Sequence, residues 1–210
     1  MNLPTAVERT LVLGIKSSGE HFNQMDLLSA ESGSFLGLKR ISKSKPQTSA
    51  ADLFDSADVH LQSSRDGNIR FVNDYQLVQR RSQIGHSYKK LRYAAEFCAL
   101  IALNGPHMAD PSELYLITER TLNAFVARAL PSIVFLKAIY LLLSSEGYPV
   151  REAWWPQLPQ QLRGLGKPLL NQPTPDHAST QELDACTQIS QLLCHWLHHE
   201  TDLILPDCLQ

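Results

Sequence analysis

Between Ile133 and Leu143 every residue except Lys137 is apolar. A helix built from such a run has no polar face, so it must be walled in by other helices or by lipid. A bilayer needs about 20 apolar residues in succession. The stretch SIVFLKAIYLLLSSEGYP, from Ser132 to Pro149, is interrupted by Lys137 and stops at Ser144-Ser145-Glu146-Gly147. Gly147 suits the first position past a helix end, and Pro149 bars continuation. The stretch therefore reads as a central core helix, and the rest of the chain must supply its walls.

With 210 residues, the chain has room for one large domain or two modest ones, and 43% apolar with 19% charged residues is ordinary globular composition. The start MNLPTAVERT lacks the basic head and apolar core of a secretory signal, which predicts a cytoplasmic protein. Cys98, Cys186, Cys194 and Cys208 form no CxxC pair and are too sparse for a disulfide framework, so free thiols are expected. Charge is distributed unevenly. Up to Arg92 there are thirteen Lys and Arg against nine Asp and Glu, a net +4; beyond it there are six against twelve, a net −6. Any polyanion contact should then fall to the N-terminal part.

That part reads as strands. ERTLVLGIK (8–16) is a β-type apolar run, Phe22 to Leu28 follows the breaker Ser17-Ser18-Gly19-Glu20, and FLGLKRI (35–41) follows the turn Glu31-Ser32-Gly33-Ser34. Ser42 to Ser49 is polar, basic and broken by proline, which predicts an exposed loop. Val59-His60-Leu61-Gln62 and Ile69-Arg70-Phe71-Val72 alternate on either side of the turn Arg65-Asp66-Gly67-Asn68, giving a second hairpin. Five short strands without helical periodicity predict a small barrel, and the length suits the OB type.

After Arg80-Arg81 the pattern is helical. Tyr88, Leu91, Ala95, Cys98 and Ala102 recur at three- and four-residue steps up to Asn104-Gly105-Pro106. Asp110-Pro111 suits the cap and first turn of a helix carrying Leu114, Ile117, Leu122, Phe125 and Leu130. Short connections make these two and the central helix an antiparallel bundle. Ala153 to Pro159 reads as a packed loop, Asn171 to Ser179 as a linker, and Thr180-Gln181-Glu182 opens a last amphipathic helix that closes the bundle. The expected architecture is α+β in two domains: a five-stranded OB-fold β-barrel over 1–80 and an all-α helical domain over 81–210.

No GxSxG, GxxxxGK[ST], GxGxxG or HExxH is present, so hydrolase and kinase readings start weak. Cys194, His195, His198 and His199 include pairs four apart that share a helix face and could offer two metal ligands each. Two ligands are not a site, and histidines at a helix C-terminus also complement its dipole. Cys98 lies on an apolar stripe and reads as a core residue. Trp154 and Trp155 carry rings able to stack on bases, but beside Pro156 they are expected to be buried against the helices. More informative are Lys39, Arg40, Lys43 and Lys45, which run from a strand end into a loop, as barrels present charge to a nucleic-acid backbone. The competing reading is an inert solvated loop.

VLGIKSSGEHFNQMDLLSAESGSFLGLKRISK resembles the first three strands of the bacterial recombination mediator RecO family, with Ser18-Gly19-Glu20 and Glu31-Ser32-Gly33 at that family's turns. Leu141 to Pro149 is similar to its Leu-Gly-Tyr segment, and the order of barrel, basic loop and helices matches over most of the chain. One departure stands out. Where many members continue with paired CxxC motifs that hold zinc, this chain has Ala153-Trp154-Trp155-Pro156. Zinc is therefore expected to be absent, with burial of Trp154 and Trp155 anchoring the segment instead.

The resemblance implies a non-enzymatic, cofactor-free DNA-binding protein of recombinational repair, cytoplasmic and nucleoid-associated. It would bind single- and double-stranded DNA, anneal complementary strands, and work with RecR protein and the C-terminal tail of single-stranded-DNA-binding protein so that recombinase loads. Phosphates would be neutralised by Lys16, Lys39, Arg40, Lys43, Lys45, Arg65 and Arg70, and Arg120 and Arg128 would receive the acidic tail on the helical domain. The alternatives are a protein-interaction adaptor with vestigial DNA binding and a metal-dependent enzyme using His195 and His199.

Overall fold

The computed structural model describes residues 5–41, 50–64 and 69–209. The polar loop read over Ser42 to Ser49 and the turn at Arg65 to Asn68 lie outside the described residues. The chain divides into two compact units: Met1–Arg81 with Gly105–Leu116, and Ser82–Asn104 with Ile117–Gln210.

The first unit holds five strands: β1 (Thr5–Ser18), β2 (Phe22–Ser29), β3 (Gly33–Arg40), β4 (Ser56–Ser63) and β5 (Arg70–Gln79). They close into a barrel in the order β1-β2-β3-β5-β4, with β4 returning to β1. Every pairing is antiparallel except β3 with β5. Alternation drives the closure. Val12, Met25, Leu27, Ala57, Val59, Leu61, Val72 and Tyr75 pack into one buried core, and the residues between them on each strand face outward. At Gly37 the interior is tight, since a Cβ there would stand 2.9 Å from Val72 Cγ2 and 3.0 Å from Leu27 Cδ1.

Arg80 and Arg81, where the sequence changes character, fasten the approach to β4. Arg80 donates to the buried Asp55 carboxylate from Nε at 3.1 Å and Nη2 at 2.8 Å. Arg81, 1% exposed, donates from Nη1 to the Phe54 carbonyl at 2.7 Å and to Ser56 Oγ at 2.9 Å. Between these anchors Phe54 adopts φ 67°, a left-handed conformation uncommon for a side chain of its size. The Gly105–Leu116 stretch belongs to the same unit because Gly105 lies against Ser34 and Gly33 against Pro111.

Five helices follow: α1 (Tyr88–Asn104), α2 (Pro111–Ala127), α3 (Pro131–Ser145), α4 (Gln160–Asn171) and α5 (Thr180–Glu200). Asp110 caps α2, its carboxylate accepting the Glu113 N–H at 3.1 Å. The unit boundary falls inside α2, after Leu116. In the second unit the central helix is α3, with Ile133, Leu136, Leu142 and Leu143 fully buried. It packs most closely with α1 and α5, and α4 lies against both α3 and α5. Lys137, its one polar interruption, donates Nζ to the Gln172 carbonyl. Gly147 at φ 81° ends the helix, with Tyr148 N–H reaching the Leu143 carbonyl at 3.0 Å and Gly147 N–H the Ser144 carbonyl at 3.4 Å. No single helix among the described residues is long and apolar enough to cross a membrane; α3 and Val150–Gln157 reach that composition only together, across a 118° bend.

Two features depart from the sequence reading. The packed loop is a π-helical turn, Val150–Trp154, running into a 3₁₀ turn, Trp155–Gln157. The helix α4 was not foreseen, because Gly164, Gly166 and Pro168 lie within it and all three residue types depress helix propensity.

The start of α5 was legible and carries a capping box. Glu182 N–H donates to Ser179 Oγ at 3.2 Å, while the Ser179 N–H donates back to Glu182 Oε2 at 2.8 Å. Ser179→Ala should lower stability by about 1 kcal/mol in a thermal melt. The Ser179 backbone and hydroxyl hold the Glu182 carboxyl below its usual value. Its contribution is therefore present above the unfolded carboxyl pKa and is lost as pH falls through the lower folded value.

Candidate nucleic-acid interface

Strand pairing lays out the outer surface of the barrel residue by residue. Lys16 pairs with Gln24, Gln24 with Leu38, Leu38 with Phe71, and Phe71 with Gln62, which makes one transverse row across all five strands. One step along, Phe22 stands opposite both Ser18 and Arg40; in the other direction Asp26 stands opposite Leu36. The Phe22 and Phe71 rings meet with centroids 6.3 Å apart and planes inclined by 49°. Lys16, Arg40 and Leu36 are exposed, and both phenylalanines are half-buried. Neither the Lys16 nor the Arg40 side chain has an ion pair or hydrogen bond among the described residues, whereas Arg9 is held by Asp58 and Arg80 by Asp55.

The cations expected to act together are not all on this surface. Successive side chains on a strand point to opposite faces, so Lys39 and Arg40 diverge. Lys39 turns to the barrel mouth, where its Nζ lies 5.5 Å from the Tyr75 ring centre beside a cleft of about 110 Å³ that Ile15, Met25 and, at its rim, the exposed Arg40 also line. Burial pulls its pKa below the usual lysine value, with Asp74 opposing. Arg70 follows the same inward register as Val72, and its guanidinium lies 4.4 Å from the Phe35 ring centre. Its Nη1 is buried and without a hydrogen-bond partner. Of the remaining expected contacts, Lys43, Lys45 and Arg65 lie outside the described residues.

In the helical unit Arg120 and Arg128 are exposed, with Arg128 Nη1 4.0 Å from Asp176 Oδ1. Neither lines the main clefts there. One of about 530 Å³ runs between α1 and α5, with Tyr93, Phe135 and Leu209 on its walls and Arg92 and Glu96 at its side. The other, of about 610 Å³, lies over Trp154, Leu158, Leu192 and Trp196. His195 lines both. The His195 and His199 rings are 4.4 Å apart, but among the described residues no group of three or more His, Cys, Asp or Glu is placed to hold a metal ion. Cys98 is fully buried, as expected of a core residue, and Cys98, Cys186 and Cys194 form no disulfide. Trp154, 2% exposed, is buried as expected, and Trp155 is half-buried against it.

Phe22, Phe71 and Arg92 were not singled out in the sequence reading. For Phe71 the signal was available, since alternation with the core residue Val72 turns it outward. The chain matches no protein family model and no curated protein sequence.

Proposed function

We propose that this is a non-enzymatic DNA-binding protein of the RecO kind, acting in recombinational repair, and that its barrel is an OB-fold. The observation that carries the reading is the pair of cations, Lys16 and Arg40, without side-chain partners among the described residues, on the outer face of a closed five-stranded barrel. The single parallel pairing of β3 with β5 and the strand order support the OB assignment, and the succession of barrel and helical unit supports the family reading. Phosphates are neutralised by Lys16, Arg40 and the basic residues of 42–49, so affinity is independent of sequence and falls with salt. Neutralised strands can approach one another, which is the physical requirement for annealing. No covalent step or cofactor is involved.

The partners under this reading are DNA, RecR protein and the acidic, apolar-tipped tail of single-stranded-DNA-binding protein, in the cytoplasm at the nucleoid. A tail of that chemistry needs an apolar wall beside a cation. In the helical unit Arg92, paired with Glu96 at 3.5 Å, lies beside Tyr93, Phe135 and Leu209 and would have to exchange that carboxylate for the tail's, whereas Arg120 and Arg128 line neither cleft.

The adaptor reading keeps one observation in its favour: Lys39 and Arg70 are engaged with barrel rings rather than free on the surface. Binding isotherms over a salt series separate the two. Each phosphate contact on a single strand adds about 0.7 to the slope of log K against log salt, so Lys16→Ala with Arg40→Ala should remove about 1.4. A wild-type protein that binds no DNA at low salt, or a double variant with unchanged affinity and slope, would favour the adaptor.

A further inference from the structure

Resting on that reading, we propose that Phe22 and Phe71 form a base-stacking platform on the outer barrel surface, so that the ligand of this face is single-stranded nucleic acid held by its bases as well as its phosphates. Phe22 begins β2 and Phe71 lies in β5; β3 runs between these two strands. Their outward register brings the rings together above Leu38 and beside Arg40, with centroids 6.3 Å apart. Core demand does not account for them. The barrel interior is filled by Met25, Leu27, Val72 and Tyr75 on the same two strands, and phenylalanine on the opposite face of those strands exposes ring surface at a cost in solvation.

The surroundings select the occupant. An apolar protein partner would favour an uncharged rim, yet here two cations whose side chains have no partner among the described residues flank the rings, Arg40 across from Phe22 and Lys16 in the row that contains Phe71, with the Asp26 carboxylate one step along the same surface. Aromatic rings bordered by cations offer a π-face to a base and positive charge to the phosphates on either side of it, and any base has a π-face, so the site tolerates all sequences. Duplex DNA keeps its bases stacked internally and can use only the cations. The platform therefore gives this face a preference for unpaired strands that charge alone cannot supply.

The test uses the full chain and fluorescein-labelled oligonucleotides. Wild-type protein should bind an oligothymidylate of about 15 nucleotides, within the span of one small barrel, more tightly than an abasic strand with the same number of phosphates. Phe22→Leu and Phe71→Leu keep apolar volume while removing the π-face. Each should weaken oligothymidylate binding by about tenfold, the loss expected for one stacked base. Both should leave duplex affinity and the salt slope unchanged. Thermal melts verify that the variants are folded, and the comparison of thymidylate with abasic strand in the wild type needs no variant. Equal wild-type affinity for the two strands overturns the platform alone, as do folded variants with undiminished thymidylate affinity. A wild type that binds no strand at all overturns the DNA reading beneath it.

Discussion

Asp55→Ala should lower the melting temperature by about 10 °C, the amount expected for a loss of about 3 kcal/mol in a chain of this size. The Asp55 side chain is fully buried, and four donors converge on it: Tyr75 Oη at 2.9 Å, Arg80 Nε at 3.1 Å and Nη2 at 2.8 Å, and the Asp52 N–H at 3.0 Å. Removing the acceptor does not affect these equally. Arg80 is 35% exposed and can turn to water, so stranding it costs less than the 3–5 kcal/mol typical of a fully buried pair. Tyr75 cannot turn away. It is 6% exposed inside the barrel, and an unsatisfied buried hydroxyl costs about 1–3 kcal/mol. Burial, with Asp55 beside it, already raises the Tyr75 phenol above its usual pKa. Adding Tyr75→Phe to Asp55→Ala should therefore recover part of the loss, and amide exchange should quicken in β4 and β5. A single variant within 0.5 kcal/mol of wild type, the range of ordinary surface changes, would mean that the Arg80–Asp55–Tyr75 cluster does not hold the barrel.

Those same residues illustrate what could be read from the chain and what could not. Apolar runs between turn signals located the first three strands and alternation the last two, because each needs only a buried face, and Leu61 and Val72 announce theirs within a few residues. The end of β5 was harder. The pairing shifts between His60 and Leu61, so Asn73 and Asp74 interrupt the alternation and Tyr75 and Leu77, which continue the strand, look unrelated to Val72. Arg80 and Arg81 read as a change of composition, but their function depends on Asp55 and Phe54, about 25 positions earlier, and no local window contains both. Charge counting met a similar limit at the site. Lys39 and Arg40 are adjacent in sequence, and only the register, with Gly37 and Lys39 on the side of the core, reveals that one faces the barrel mouth and the other the solvent. For α4 the difficulty was intrinsic propensity: Gly166 is favoured there by packing, since a Cβ would stand 2.5 Å from Ile189 Cδ1 and 3.1 Å from the Trp155 ring, and helix-weakening residues hide the period that Leu162, Leu165 and Leu169 would otherwise show.

Trp154→Ala should have the largest effect of any single truncation in the helical unit, about 3–5 kcal/mol. Trp154 is among the largest fully buried side chains in the chain. Its ring contacts Trp155 at 5.9 Å and Tyr140 at 6.3 Å between centroids, and Trp155 in turn reaches Tyr140 at 6.5 Å. Tyr140 is part of α3, so the triad ties the irregular segment after Gly147 to the central helix. The segment has little else of regular structure: one π-helical turn and one 3₁₀ turn leave few internal hydrogen bonds to hold its shape. Aromatic burial therefore supplies the anchor, and the contacts are worth about 0.5–1.5 kcal/mol per pair beyond the area they bury. Two comparisons sharpen the expectation. Trp155, only half-buried, should cost less when truncated, and exhaustive treatment of the wild type with a chelator should leave its melting temperature unchanged. A chelator-sensitive wild type would transfer the anchoring role to a metal, and a Trp154→Ala variant that melts with the wild type would remove it from the aromatic triad.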